Sequence, residues 1–293
     1  MRILITGANG LLGGSLLAVF AERGHQPEPL SRSLWAGIAP RRLAPLLAGA
    51  ELVVHAAANT NVERCEVDVD GCYRDNYFWS EMLAQAAALA GVPMVYISST
   101  GVYGAHQTNP YIETSLTVPT THHHRAKLLA EGAVLRAAPA NLVLRTGWLF
   151  GGQPANPKNF VARRLDEARS LLAAGKAMHA NVEQRGIPTY AVDVTMRLLE
   201  LVELGHSGVF NCVNQGSASR LEYVRSILQL SGQDMPVAPV AGSTFNRKAQ
   251  VSNNEVATNW KMDLLGMAPM PGWQESLEIY LCNSGLLNFE RMP

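Results

Sequence analysis

Eight residues placed directly after the first apolar stretch restrict this chain to very few architectures. Arg2-Ile3-Leu4-Ile5 reads as a strand, and Thr6-Gly7-Ala8-Asn9-Gly10-Leu11-Leu12-Gly13 follows it without a spacer. Glycines in three-residue steps between a strand and a helix let the backbone close on a pyrophosphate, while the helix N-terminus offers N–H groups and positive dipole. The spacing predicts a dinucleotide site built from Gly7, Asn9, Gly10, Leu11, Leu12 and Gly13. A tight turn with no ligand would leave the repetition of the glycines unexplained.

The pattern that follows agrees with a parallel sheet covered on both faces. Leu11 to Arg23 reads as a helix ending at Gly24, and Gln26 to Ser31 as a weak strand whose Pro27 and Pro29 suit only an edge. Residues 52–56 and 94–98 are short, nearly continuous apolar runs, as expected of strands buried on both faces. Asp75 to Ala90 has helical periodicity and stops at Gly91; a further helix runs from about His124 to Ala137, before a strand at 142–145. Residues 1–152 are therefore expected to form an α/β, doubly wound parallel sheet of the Rossmann type. After the turn-rich stretch 151–157, helical segments near 160–174, 192–204 and 220–231 surround a strand-like piece at 208–211. These predict a smaller substrate lobe over residues 153–293 that partly returns to the main sheet.

Charge and cysteine usage narrow the function classes. The 24 basic and 24 acidic side chains cancel, leaving no electrostatic footprint for nucleic acid or an anionic membrane, so neither partner is expected. No apolar run approaches membrane-spanning length and no leader pattern opens the chain, so a cytoplasmic location is the default expectation. Cys65, Cys72, Cys212 and Cys282 have neither CxxC metal spacing nor a disulfide framework, and read as reduced thiols.

The ends of the strands carry the chemistry. After the second strand an acidic residue would serve the ribose of NAD and an Arg the extra phosphate of NADP; Ser31-Arg32-Ser33 favours NADP, with NAD as the alternative. Glu28 lies inside the strand, where its carboxylate is poorly placed for a ribose. Ala56, Ala57 and Ala58 end the next strand with small side chains that admit a flat ring or a phosphate, although close strand-to-helix packing would use alanines too. Ile97-Ser98-Ser99-Thr100-Gly101-Val102-Tyr103-Gly104 ends the following strand in hydroxyls, which either donate to a carbonyl oxygen gaining charge or cap a turn.

In order and spacing, residues 6–13, 55–58, 98–104 and Lys127 resemble the extended short-chain dehydrogenase/reductases acting on nucleotide sugars. Within them, residues 59–66, Asn76, 111–113, 145–151 and 186–190 are most similar to the dTDP-4-dehydrorhamnose reductase family, over roughly residues 1–230. The resemblance implies a catalytic hydroxyl at Ser99 and a lysine at Lys127 that also binds the nicotinamide ribose. The family's tyrosine falls on His123, a register fixed by Pro119 four residues earlier and by the continuing Lys127-Leu128-Leu129-Ala130-Glu131. It also implies substrate contacts at Thr100 and Tyr103, and at Gln184 and Arg185 in the lobe, with Arg247 and Lys248 near the nucleotide phosphates. An imidazole can exchange a proton near neutral pH. Its nitrogen nevertheless reaches roughly 2 Å less far than a phenolic oxygen, and about 1 Å of misplacement can cost on the order of 100-fold in rate.

His122, His123 and His124 are consecutive, point about 100° apart on a helix and cannot close around one ion, so no metal is expected. One imidazole facing the pocket, that of His123, and two facing solvent is the expected arrangement. The leading functional expectation is an NADP-dependent 4-keto reductase of a nucleotide-activated sugar. Two alternatives stand beside it: a catalytically silent NADP-binding regulatory or scaffold subunit, as a resemblance to the β subunit of methionine adenosyltransferase implies, and an epimerase, dehydratase or reductase of another carbonyl. Relatives that pair through a helical face point to a homodimer.

Overall fold

The computed structural model describes residues 1–287, so residues 288–293 of the expected lobe lie outside the described residues. β1 (Arg2–Thr6) pairs in parallel with β2 (Gln26–Pro29) on one side and with β3 (Leu52–His55) on the other. β4 (Met94–Ser99) and β5 (Leu142–Thr146) extend the sheet beyond β3, and the strand Gly208–Cys212 completes it. All six strands are parallel, and the chain leaves β1 in one direction for β2 and in the other for β3 to β5. The topological switch point therefore lies at the carboxyl ends of β1 and β3, where an open sheet leaves a crevice for a ligand.

The apolar runs are continuous because both faces are covered. Ile3, Ile5, Val54, Val95 and Leu144 pack against Leu12, Leu16 and Phe20 of α1 (Leu11–Glu22). The alternate residues Leu4, Val53, Met94, Tyr96 and Val143 face the opposite layer, with Leu83, Ala87 and Val134. The second half of the chain joins the first layer. Val194, Leu198 and Leu201 of the helix Ala191–Glu203 share the core of α1, and the strand Gly208–Cys212 lies beside β5. The remainder of that half surrounds a separate aromatic cluster of Phe150, Tyr190, Tyr223, Trp273 and Tyr280.

Two local details differ from the sequence pattern, and a third accords with it. The helix expected from Asp75 opens with a π-helical turn, Arg74–Phe78, before the α-helix Trp79–Leu89; the widened turn carries the buried Asn76. The histidine-bearing helix, His122–Ala137, starts two residues early because Thr121 caps it, its Oγ1 accepting from His124 N at 3.2 Å. Along the border strand β2, Gln26 N and Leu30 N donate inward to Met1 O and Ile5 O, so Pro27 and Pro29 occupy the outward-facing positions.

Candidate active site

At the switch point the backbone itself forms the cradle. Gly7 adopts φ 71°, a left-handed conformation, and a Cβ there would meet Ala57 N at 2.7 Å, so the ends of β1 and β3 touch only because the side chain is missing. Gly10 N donates to Gly7 O at 2.9 Å, and a Cβ on Gly13 would overlap the same carbonyl oxygen. Gly10 caps α1 without a side-chain hydrogen bond and no acidic residue lies in the first turn, so its first N–H groups remain available to an anion. These residues fit a dinucleotide diphosphate, with Ala56, Ala57 and Ala58 alongside it. Arg32 opens the short helix Arg32–Trp35 just beyond β2. Its side chain is 61% exposed, bonded to Asp75 at 3.1 Å and 4.5 Å above the Trp79 ring. Glu28 accepts from Arg2 Nε and Nη2, both at 3.0 Å, which holds its carboxylate away from a ribose.

Next to the cradle, the buried His55 bridges Thr6 Oγ1 at 2.6 Å and Ser80 Oγ at 2.9 Å, joining β1, β3 and the helix Trp79–Leu89. Burial, with a smaller push from Lys127, drives its proton affinity down to about 3, so the ring is neutral.

The residues expected to carry the chemistry lie toward the carboxyl ends of β4 and β5. Ser99 is the last residue of β4, and its Oγ accepts from Gly101 N at 3.1 Å. Lys127 is buried; Nζ donates to Ile97 O at 2.8 Å and to Tyr96 Oη at 3.4 Å, and lies 4.9 Å from the Tyr96 ring centre. Burial lowers its pKa to about 8, with the nearby Glu131 carboxylate opposing the shift. Glu131 accepts from Ser98 Oγ at 2.5 Å and from both Arg145 Nη2, at 2.6 Å, and Nε. One carboxylate thus ties the histidine helix to β4 and β5.

His123, one helical turn before Lys127, is 5% exposed. Asn76 Nδ2 faces its Nδ1 at 3.4 Å, and the same amide group donates to Asn59 O at 3.1 Å while its Oδ1 accepts from Asn59 N at 2.8 Å. The contact is satisfied when Nδ1 carries the lone pair and Nε2 the proton. The Asn59 backbone also hydrogen-bonds the ring. Burial, then His124 and Lys127, hold the ring well below the usual imidazole range.

The expected arrangement of one inward and two outward imidazoles is corrected. His124 is as buried as His123 and meets it edge-to-face with centroids 5.0 Å apart. Its Nδ1 bonds Thr121 Oγ1 at 3.0 Å and its far edge occupies the space a Gly101 side chain would need. The absent Cβ at Gly101 therefore admits a second ring, which sequence spacing alone did not reveal. Two of the cysteines also meet: Cys72 Sγ and Cys65 Sγ lie 3.4 and 4.0 Å from the Asn76 amide. Among the described residues no group of three His, Cys, Asp or Glu side chains could hold a metal ion.

On the lobe side, two expected substrate contacts turn inward. Tyr103 is fully buried, stacked on Tyr111 at 4.8 Å, and donates its hydroxyl to Asn211 at 2.7 Å; a core partnership replaces the expected contact. Gln184 is buried too, with Oε1 accepting from Arg220 Nε at 3.4 Å. Thr100 is buried, and its hydroxyl lacks a protein partner. Arg185 remains exposed and pairs with Glu222 at 3.4 Å. Sequence reading missed Arg220, whose guanidinium stacks 3.4 Å above the Trp148 ring, while Trp148 Nε1 donates to the buried Glu255 at 2.8 Å. It also missed Lys158. The strap 151–159 starts at Gly151 and Gly152, both at positive φ, and ends at the buried Asn159, which donates to Gly151 O and Gln153 O. Between these anchors, Asn156 Nδ2 reaches Asn9 O at 3.3 Å and Lys158 Nζ reaches Thr60 Oγ1 at 2.7 Å.

Residues 1–285 match the model of the RmlD substrate binding domain family. A dTDP-4-dehydrorhamnose reductase of Mycobacterium tuberculosis is 32% identical over 282 residues, which cover 94% of this chain and 91% of the relative. A Bacillus subtilis spore coat polysaccharide biosynthesis protein, SpsK, is 26% identical over 96% of each chain. Among solved structures, a dTDP-4-dehydrorhamnose reductase from Bacillus anthracis in complex with NADP superposes with a TM-score of 0.88 at 26% identity, covering 96% of this chain and 99% of that one. With the glycine cradle, the switch-point crevice and a family model that runs nearly end to end, the chain belongs to the RmlD substrate binding domain family.

Proposed function

We propose that this protein is an NADP-dependent oxidoreductase that reduces the 4-keto group of a nucleotide-activated sugar. The observation that supports the reading is the nearness of Ser99, His123 and Lys127 to one another at the strand ends, in a chain whose first turn forms the Gly7 cradle. The reduced nicotinamide supplies a hydride. Ser99 Oγ donates to the carbonyl oxygen, which takes on negative charge as the hydride arrives. His123 hydrogen-bonds that oxygen or a water beside it, and the proton that completes the alcohol arrives from solvent through that water, so the ring stays neutral throughout. Lys127 holds the ribose and supplies a positive field from below. Arg220, with Arg185 and Arg247, suits the diphosphate of the sugar nucleotide, and Trp148 with Glu255 keeps the Arg220 guanidinium oriented. The same reading carries a cytoplasmic setting and a homodimer.

A second reading, a cofactor-binding subunit without turnover, draws on one observation. A neutral imidazole is a far weaker acid than a phenol, and burial keeps His123 neutral. The test uses purified protein, NADPH and a panel of 4-keto nucleotide sugars, with His123→Ala and His123→Tyr in parallel. Wild-type turnover that falls by about 100-fold or more in the Ala variant supports the reductase. A silent wild type made active by Tyr supports the subunit.

A further inference from the structure

The strap 151–159 crosses the crevice at two points, one at the glycine cradle and one beside the imidazole. At the second, Lys158 Nζ sits on Thr60 Oγ1 at 2.7 Å. The residue next to Thr60, Asn59, is clamped through both backbone groups by the Asn76 amide, and that amide faces His123 Nδ1. A short relay of contacts therefore links the strap's ammonium to the imidazole. Lys127, one turn along the same helix, also acts on the ring. His123 thus feels two cations, one fixed on its own helix and one carried by a strap that begins at two glycines.

The other groups around the ring do not neutralise this field. His124 on the same helix is itself held neutral at about 4 by burial, with Lys127 adding to the shift. Asn59 and Asn76 carry no charge, and the Cys65 and Cys72 thiols stand behind Asn76. Glu66 is committed to His122 N at 2.8 Å. An oxygen beside the ring consequently meets positive charge from both lysines.

We propose that Lys158 is a further positioning residue of this site: carried by the strap and seated on Thr60, it supplies positive charge to the substrate oxygen that faces His123. The role suits a site whose hydrogen-bond donor is a neutral imidazole. With a weaker acid in front, more of the negative charge developing on the oxygen must be met by fixed cations. Because Lys158 comes from the segment leading into the lobe, its charge arrives only when the strap is seated. The strap contacts at Asn9 and Thr60 then couple cofactor and substrate sides of the crevice.

The identity of the oxygen rests on the reductase reading; the electrostatic link does not. Two measurements on the full-length protein keep them apart. The first follows the His123 ring signal by NMR through a pH titration in wild type, Lys158→Gln and Lys158→Arg. The proposal expects the midpoint to move upward in Gln, to stay near wild type in Arg, and to move less at high salt, since Lys158 is exposed. The second measures steady-state reduction and NADPH affinity in the same variants. Lys158→Gln should lower kcat by about tenfold while the NADPH Kd changes by less than about threefold, and Arg should restore most of the rate. An unmoved His123 midpoint overturns the proposal. So does a weakened NADPH Kd with kcat unchanged at saturating cofactor, which would assign Lys158 to the cofactor phosphates. A wild type inert toward every sugar, combined with a moved midpoint, removes the reductase reading and leaves the coupling of Lys158 to His123 supported.

Discussion

The glycine cradle and the start of the histidine helix lie on the same crevice yet are built by opposite means. The cradle is local: seven consecutive residues, Gly7 to Gly13, make it from backbone, and its shape depends on side chains that are absent. The histidine site is assembled from distant pieces. His123 and Lys127 come from one helix, Ser99 from β4, Asn76 from a π-helical turn and Lys158 from a strap. Steric requirements of the first kind tolerate little, since a backbone overlap cannot relax. Electrostatic requirements of the second kind are graded, because a neighbour can compensate. That contrast explains how a family chain can keep every glycine of its cradle and still carry an imidazole at the position where the resemblance implies a phenol.

The comparison can be broken most forcefully from the histidine side, at the carboxylate that holds its pieces together. Glu131→Ala leaves Arg145 buried without its partner and should cost about 3–5 kcal/mol of unfolding free energy, measured by urea denaturation. A loss below about 1 kcal/mol would mean that β4, β5 and the helix are joined by packing alone. On the cradle side, Gly13→Val should weaken NADPH binding by about 100-fold or more and cost about 1–3 kcal/mol of stability, because the added carbons overlap the Gly7 carbonyl. Retained affinity in that variant would show the turn to be more pliable than its geometry implies.

Acid titration separates the regions next. His55, pushed down to about 3, and His124, down to about 4, are neutral in the fold but charge near 6.5 when unfolded. The unfolded chain then binds more protons, so stability is full above about pH 6.5 and falls as pH drops toward 4. Each ring should account for roughly 2–3 kcal/mol of that loss. His124→Gln should flatten this dependence in thermal melts between pH 7 and 4.5, and an unchanged slope would mean that His124 is not neutral in the fold. The smallest effect falls at the rim of the cradle. Arg32→Ala should raise the NADPH Kd by about 5- to 10-fold with little change for NADH, in keeping with loss of one exposed phosphate contact. Equal weakening for both coenzymes would remove Arg32 from cofactor selection.

The same contrast governs how much was legible in the sequence. The doubly wound sheet and the border position of β2 were readable because strand burial and proline placement are local signals. The cradle was readable for the same reason. The roles expected of His123 and Lys127 came from the family resemblance. Hidden were the contacts that need two distant segments at once. The fit of His124 over Gly101 is one, and the meeting of Cys65 and Cys72 at Asn76 is another. Tyr103 misled because a tyrosine after a hydroxyl-rich strand end looks like a ligand contact, whereas Asn211 from the returning strand claims its hydroxyl. Lys158 gave no signal, since an isolated lysine among turn formers reads as a surface charge.

The two prolines of β2 have a consequence for the protein at high concentration. Because Pro27 and Pro29 fall where the amides would point off the sheet, this margin presents no donors there to a passing strand. A six-stranded sheet left open on that flank would otherwise invite other chains to add on. Replacing both prolines would leave the catalytic crevice untouched while converting a mute border into a seed for accretion, so the pair acts as a guard on the protein's solitude in concentrated solution.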